Sequence, residues 1–151
     1  MAIGNTKIDD LLRRTRNLNE SVAWLGAFDG ITRKQIIYWI QQDQLIDQGI
    51  NKDGDIIGYY SELTEIISKG RKQAGDPYTL FDTGDFFKTF FVNVFLNEIS
   101  INANPIKGDD NLFEKYGDEI IGLTDENFTK LKELVKTKYQ EYVYKTLFGN
   151  R

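Results

Sequence analysis

Between residues 90 and 103 the apolar side chains alternate with a period of two, and the phase flips partway along. Val92, Val94 and Leu96 hold even positions, whereas Ile99, Ile101 and Ala103 hold odd ones. Successive side chains of a strand point to opposite faces, so one straight strand would turn its apolar half inside out. A hairpin turning at Asn97 and Glu98 removes the conflict. It sets Leu96 opposite Ile99, Val94 opposite Ile101 and Val92 opposite Ala103, all on one face. Asn93, Phe95, Ser100 and Asn102 then line the other face. Asn-Glu is a poorer two-residue turn than Asn-Gly, so a longer loop or a bulge competes with it. A lone hairpin is marginal in water. Helices must cover it, or another subunit must extend it.

The rest of the chain reads as helix and loop. Over 6–25, Ile8, Leu11, Leu12, Leu18, Val22 and Leu25 share a helical face, with Arg13, Arg14 and Arg16 turned away. After a break at 26–30, Thr32 is the expected N-cap of a second helix over about 33–48. Its block Ile36, Ile37, Tyr38, Trp39 and Ile40 is too wide for one buried stripe. Burial on more than one side follows, against the domain or a neighbouring subunit. Gln41, Gln42, Gln44 and Gln48 read as a solvated polar face. Residues 49–58 form a loop around Asp53 and Gly54; in a calcium-loop register Gly49 and Tyr60 replace the two end ligands, which excludes that site. A short helix over 59–69 is expected to pack through Leu63, Ile66 and Ile67 and to stop at Gly70. Residues 104–110 read as a loop and 112–122 as short or irregular elements. Thr124 starts the cleanest helix, with Asp125 and Glu126 in its first turn and a stripe from Phe128 through Leu131, Val135 and Tyr139 to Leu147.

The expected class is α+β: a β-hairpin or small antiparallel sheet packed against a long C-terminal helix, with additional N-terminal helices. The 151 residues fit one domain, with a helical part over 1–58 and a helix–hairpin–helix core over 59–151.

Absences in the composition narrow the chemistry. With no Cys and no His, disulfides, thiolate nucleophiles, the usual zinc, haem and iron–sulfur ligands, and every triad with a histidine base are excluded. No cofactor or metal is expected. The net charge of −4 argues against nucleic acid as a partner. No apolar run is long enough to span a bilayer, and charge enters the N-terminus too early for a signal-peptide core. The expected place of folding is a cytoplasm.

Asp82, Thr83 and Gly84 form the sharpest catalytic-looking string, since aspartic proteases hold their carboxylate in an Asp-Thr-Gly turn and need two such carboxylates sharing a proton. Here Asp85, Phe86 and Phe87 follow in helical surroundings, which favours a structural cap built from Asp82, Thr83 and Gly84. The 70–75 stretch has the glycine spacing of a phosphate loop, but Asp76 and Pro77 stand where Lys and Ser or Thr are needed. Acidic pairs such as Asp9 with Asp10 and Asp125 with Glu126 read as solvated loops and helix starts, and Lys69, Arg71 and Lys72 as helix-end capping.

The 70–90 string resembles small structural proteins of tailed bacteriophages, the tail-completion and head–tail joining group. In that group an Asp-Thr-Gly precedes a helix with a hydrophobic-x-x-Ser/Thr-Phe pattern and then a hairpin; Asp82, Thr83, Gly84, Phe86, Thr89 and Phe90 follow that order. Ile121, Gly122, Leu123 and Thr124 before the long helix add an echo, and by order of elements the likeness spans about 59–147. It implies a non-enzymatic virion component at the head–tail connector, neck or tail-completion position, assembled in the host cytoplasm. Its implied partners are further copies in a ring and other virion proteins such as portal or tail components. Trp39, Ile40, Phe86, Phe90, Phe95, Leu96 and Ile99 are the interface candidates, with catalytic residues not expected. A carboxylate enzyme such as the Asp-Thr-Gly protease, and a small partner-binding regulatory protein, are the alternatives.

Overall fold

The computed structural model describes residues 7–149. Asn19 splits the first expected helix in two. Its backbone is extended and its side chain accepts a hydrogen bond from the Val22 N–H, an N-cap that starts a new helix. The result is α1 (Lys7–Arg16) and α2 (Glu20–Ala27), while Thr6 lies outside the described residues.

Asp29, not Thr32, caps α3 (Gly30–Tyr38), accepting from the Thr32 N–H at 2.9 Å. Lys138 donates to the same carboxylate, and together these bonds hold the Asp29 pKa down to about 2. A folded-state value below the ordinary 3.8 stabilises the fold above that value, and the benefit fades as pH falls through the folded pKa. Asp29→Ala is therefore expected to lower the urea unfolding free energy by about 1 kcal/mol at neutral pH. The gap from wild type should shrink as pH falls from 3.8 toward 2.

At Trp39 the helix widens into a π-helical stretch, Trp39–Ile46, closed by the Asp47 N–H on the Gln42 carbonyl at 2.9 Å. Bonds from i to i+5 give more residues per turn than an α-helix, so Ile40, Gln44 and Leu45 all point inward. Only Tyr38 of the wide apolar block is exposed; Ile36 and Ile40 are fully buried, and Ile37 and Trp39 pack against the core.

The period-two stretch is a hairpin, β1 (Phe91–Val94) with β2 (Ile99–Asn102), paired antiparallel as Val92 with Ile101 and Val94 with Ile99. The register is two residues away from the one expected for an Asn97-Glu98 turn. A four-residue connection, closed by the Phe95 N–H on the Glu98 carbonyl at 2.8 Å, replaces that turn. Asn-Glu puts Glu where a tight type I′ turn favours glycine at positive φ. A shift of two preserves every face, so Val92, Val94, Ile99 and Ile101 still turn toward the core. Leu96 instead leaves the ladder and sits at the exposed tip.

The stretch over 104–110, read as loop, holds most of a small ribbon of β3 (Ile106–Lys107) and β4 (Asp110–Asn111) turning through Gly108. Then come α6 (Leu112–Tyr116) and a 3-10 turn (Asp118–Ile121), short as expected. Thr124 caps α7 (Asp125–Phe148) by accepting from the Asn127 N–H, as its position in the sequence indicates. The fold is α+β, with N-terminal helices, two small antiparallel sheets and a long C-terminal helix. α7 runs along α1 and α2, and α3 lies against β1. Hairpin and C-terminal helix meet in one core, where Leu131 and Val135 join Val92 and Val94 around Ile36, Ile40, Phe86, Phe90 and Ile120. No helix among the described residues is long and apolar enough to cross a membrane.

The remaining helix, α4 (Glu62–Ile67), is shorter than expected and faces the other way. Leu63, Ile66 and Ile67 were the expected packing face, yet they are 64%, 74% and 72% exposed.

Candidate interaction surface

The Asp-Thr-Gly string does not cap α5 (Asp85–Lys88) with a side chain of Asp82. Gly84 itself is the capping residue, in the left-handed region at φ +80, a conformation that glycine adopts without strain. The Thr83 hydroxyl accepts from the Asp85 N–H at 3.4 Å and donates to the Asp85 carboxylate. Asp82 reaches elsewhere, to Lys107 Nζ at 3.2 Å and Lys72 Nζ at 3.7 Å. The hydrogen bond from Lys107, then the charges of Lys107 and Lys72, lower the pKa of this carboxyl and favour its ionised form. The string thus ties the start of α5 to β3 and to the segment after α4. It is a joint.

The seven interface candidates separate sharply. Ile40, Phe86 and Phe90 are core residues, a correction to their expected role. α5 is a single turn that drops Phe86 and Phe87 inward together, and the Phe86 and Phe90 rings meet edge-on with centroids 5.1 Å apart. Trp39 and Ile99 are half-buried against the same cluster. Phe95 and Leu96 stay exposed at the hairpin tip. The tip is held in place by the Trp24 indole N–H, which donates to the Phe95 carbonyl.

Sequence reasoning found the apolar face of α4 but not that it looks outward. α4 is carried on a loop whose neck is a short ladder. The Tyr60 N–H bonds the Asp76 carbonyl at 2.9 Å, the Gly75 N–H bonds the Tyr60 carbonyl at 2.9 Å, and the Tyr78 N–H bonds the Gly58 carbonyl at 2.7 Å. Inside the loop the anchoring is polar. Buried Ser68 donates to the Glu65 carbonyl at 3.0 Å and accepts from the Lys72 N–H at 3.0 Å, while Glu65 accepts from the Ala74 N–H at 2.8 Å. With hydrogen bonds filling its inner side, α4 has only its outer side left for Leu63, Ile66 and Ile67. Solvent-facing apolar clusters of this kind mark interaction sites. The signal in the sequence was present but sign-ambiguous: periodicity identifies a face and does not say which way it looks.

A second apolar feature is a groove of about 300 Å³ between α2, the hairpin tip and α7, lined by Ala23, Trp24, Leu96, Val135 and Tyr139. A wider cleft, about 710 Å³, is polar and lies between the π-helical stretch, the 50–54 loop and the start of α7. Lys130 sits in it within 3.0 Å of Glu126 and 3.9 Å of Asp43, and with Lys52 it offsets only part of the charge of Asp43, Asp47, Asp53, Asp125 and Glu126. Among the described residues no group of three or more Asp or Glu side chains is placed to hold a metal ion. Comparison with known proteins found no matching family model, no similar curated protein and no similar solved structure.

Proposed function

We propose that this chain is a non-enzymatic structural component of a tailed-phage virion, at the head–tail connector, neck or tail-completion position, acting by oligomeric assembly. The observation that carries the reading is α4: three large aliphatic side chains face solvent on a helix anchored by polar contacts. Exposure of that face costs free energy in a lone chain and is relieved when a partner covers it. The open hairpin, with Phe91, Phe95 and Leu96 exposed, adds a second uncovered element. The likeness of the string from Asp82 to Phe90 to head–tail joining proteins directs the reading to a virion. Copies of the chain in a ring, with portal or tail components, are the partners that fit.

The protease alternative finds no support at Asp82. A protease carboxylate must share a proton with its twin, whereas two lysines here hold the carboxylate ionised. Mass spectrometry of purified virions made from the genome that carries this gene is expected to find the chain in the particle. Finding it only in the infected-cell lysate would overturn the reading.

A further inference from the structure

We propose that α4 of one copy docks into the α2–hairpin–α7 groove of the next, a head-to-tail contact between copies of this chain. The inference rests on the assembly reading above and specifies its contact. Both surfaces carry apolar side chains that are open to solvent. α4 offers a ridge of Leu63, Ile66 and Ile67 on a loop closed by the 58–60 and 75–78 ladder. The groove has small buried Ala23 and Ala27 along its α2 wall, with Trp24, Leu96, Val135 and Tyr139 around them.

The charges match as well. Glu20 lines the groove at the first turn of α2, the end near α7 residue Tyr142, whose hydroxyl accepts from the Asn19 N–H. Toward the other end, α7 carries exposed Lys132, three residues before Val135 and over the Phe128 ring, and exposed Lys136, three before Tyr139 and 4.0 Å from Glu133. On the ridge, Glu62 begins α4, whereas Lys69 and Arg71 follow its end. Laid with its start toward Lys132 and Lys136, α4 puts opposite charges together at both ends, and this fixes its direction in the groove.

Ridge and groove share no residue, so each copy can give and receive at once. A contact of this type is heterologous: repeated, it closes into a ring or continues as a filament.

The test uses two exposed positions in the full chain. Ile66→Glu disables the ridge and Leu96→Glu disables the groove. Each variant alone is expected to sediment as one 17.5 kDa chain with unchanged Tm. Their equimolar mixture is expected to form a pair of twice that mass and nothing larger, because one intact ridge meets one intact groove. Should either substitution lower Tm, Leu63→Lys and Tyr139→Glu take its place. Wild-type-like assembly by either variant alone, or a mixture that stays monomeric, overturns the docking while wild-type self-association still supports the assembly reading. A wild type that is monomeric throughout overturns both.

Discussion

Phe86→Ala is expected to lower the unfolding free energy by about 3–5 kcal/mol, measured by urea denaturation of the isolated chain. Phe86 is 4% exposed and its ring packs edge-on against both Phe87 and Phe90. Truncation removes the transfer free energy of a whole ring and leaves a cavity in a core that α3, β1 and α7 share. Phe95→Ala, at the exposed hairpin tip, should cost well under 1 kcal/mol by the same assay, as surface substitutions do. The contrast separates two residues that the sequence pattern ranked together. A near-neutral Phe86→Ala would mean that the aromatic cluster is not the centre of the fold.

Gln44→Leu is expected to cost about 3 kcal/mol or more, for a different reason. Gln44 is fully buried, and its amide bonds the segment that leads into α7 and the first turn of that helix. Its Oε1 accepts from the Thr124 N–H and from Asn127 Nδ2, both at 2.9 Å, and its Nε2 donates to the Gly122 carbonyl at 2.8 Å. Leucine matches the volume but strands two donors and one acceptor in a desolvated site, each costing about 1–3 kcal/mol if nothing replaces the bond. The bonds form one network, so Gln44→Leu combined with Asn127→Leu should cost less than the sum of the two single changes. Strict additivity in that double-mutant cycle would contradict the network.

The hairpin and Gln44 mark where reading the sequence succeeded and where it could not. The phase flip across 90–103 was enough for a hairpin, and a shift of two in register left the core face intact because strand periodicity is two. Thr124 with Asp125 and Glu126 located the start of α7 to the residue, since N-cap chemistry is local. Gln44 was read as solvated because a Gln-rich polar face is usually in water. The π-helical turn beyond Tyr38 changes the α-helical period and rotates the amide inward, and no local residue preference announces it. At α4 the period was right and the direction wrong. Whether Leu63, Ile66 and Ile67 look in or out depends on the 58–60 and 75–78 neck, a pairing between residues distant in sequence. Asp82 shows the same limit: its lysine partners, Lys72 and Lys107, lie 10 and 25 residues away. The exposed part of the candidate surface was therefore only half legible, at Phe95 and Leu96 and not at α4.

We propose that other chains cover the outward faces of α4 and the hairpin tip. Sedimentation velocity of the wild-type chain over a concentration series tests it most directly. The expected result is a species whose mass is a multiple of 17.5 kDa and which dissociates on dilution. A single chain at every concentration, with Leu63, Ile66 and Ile67 left in water, would contradict it.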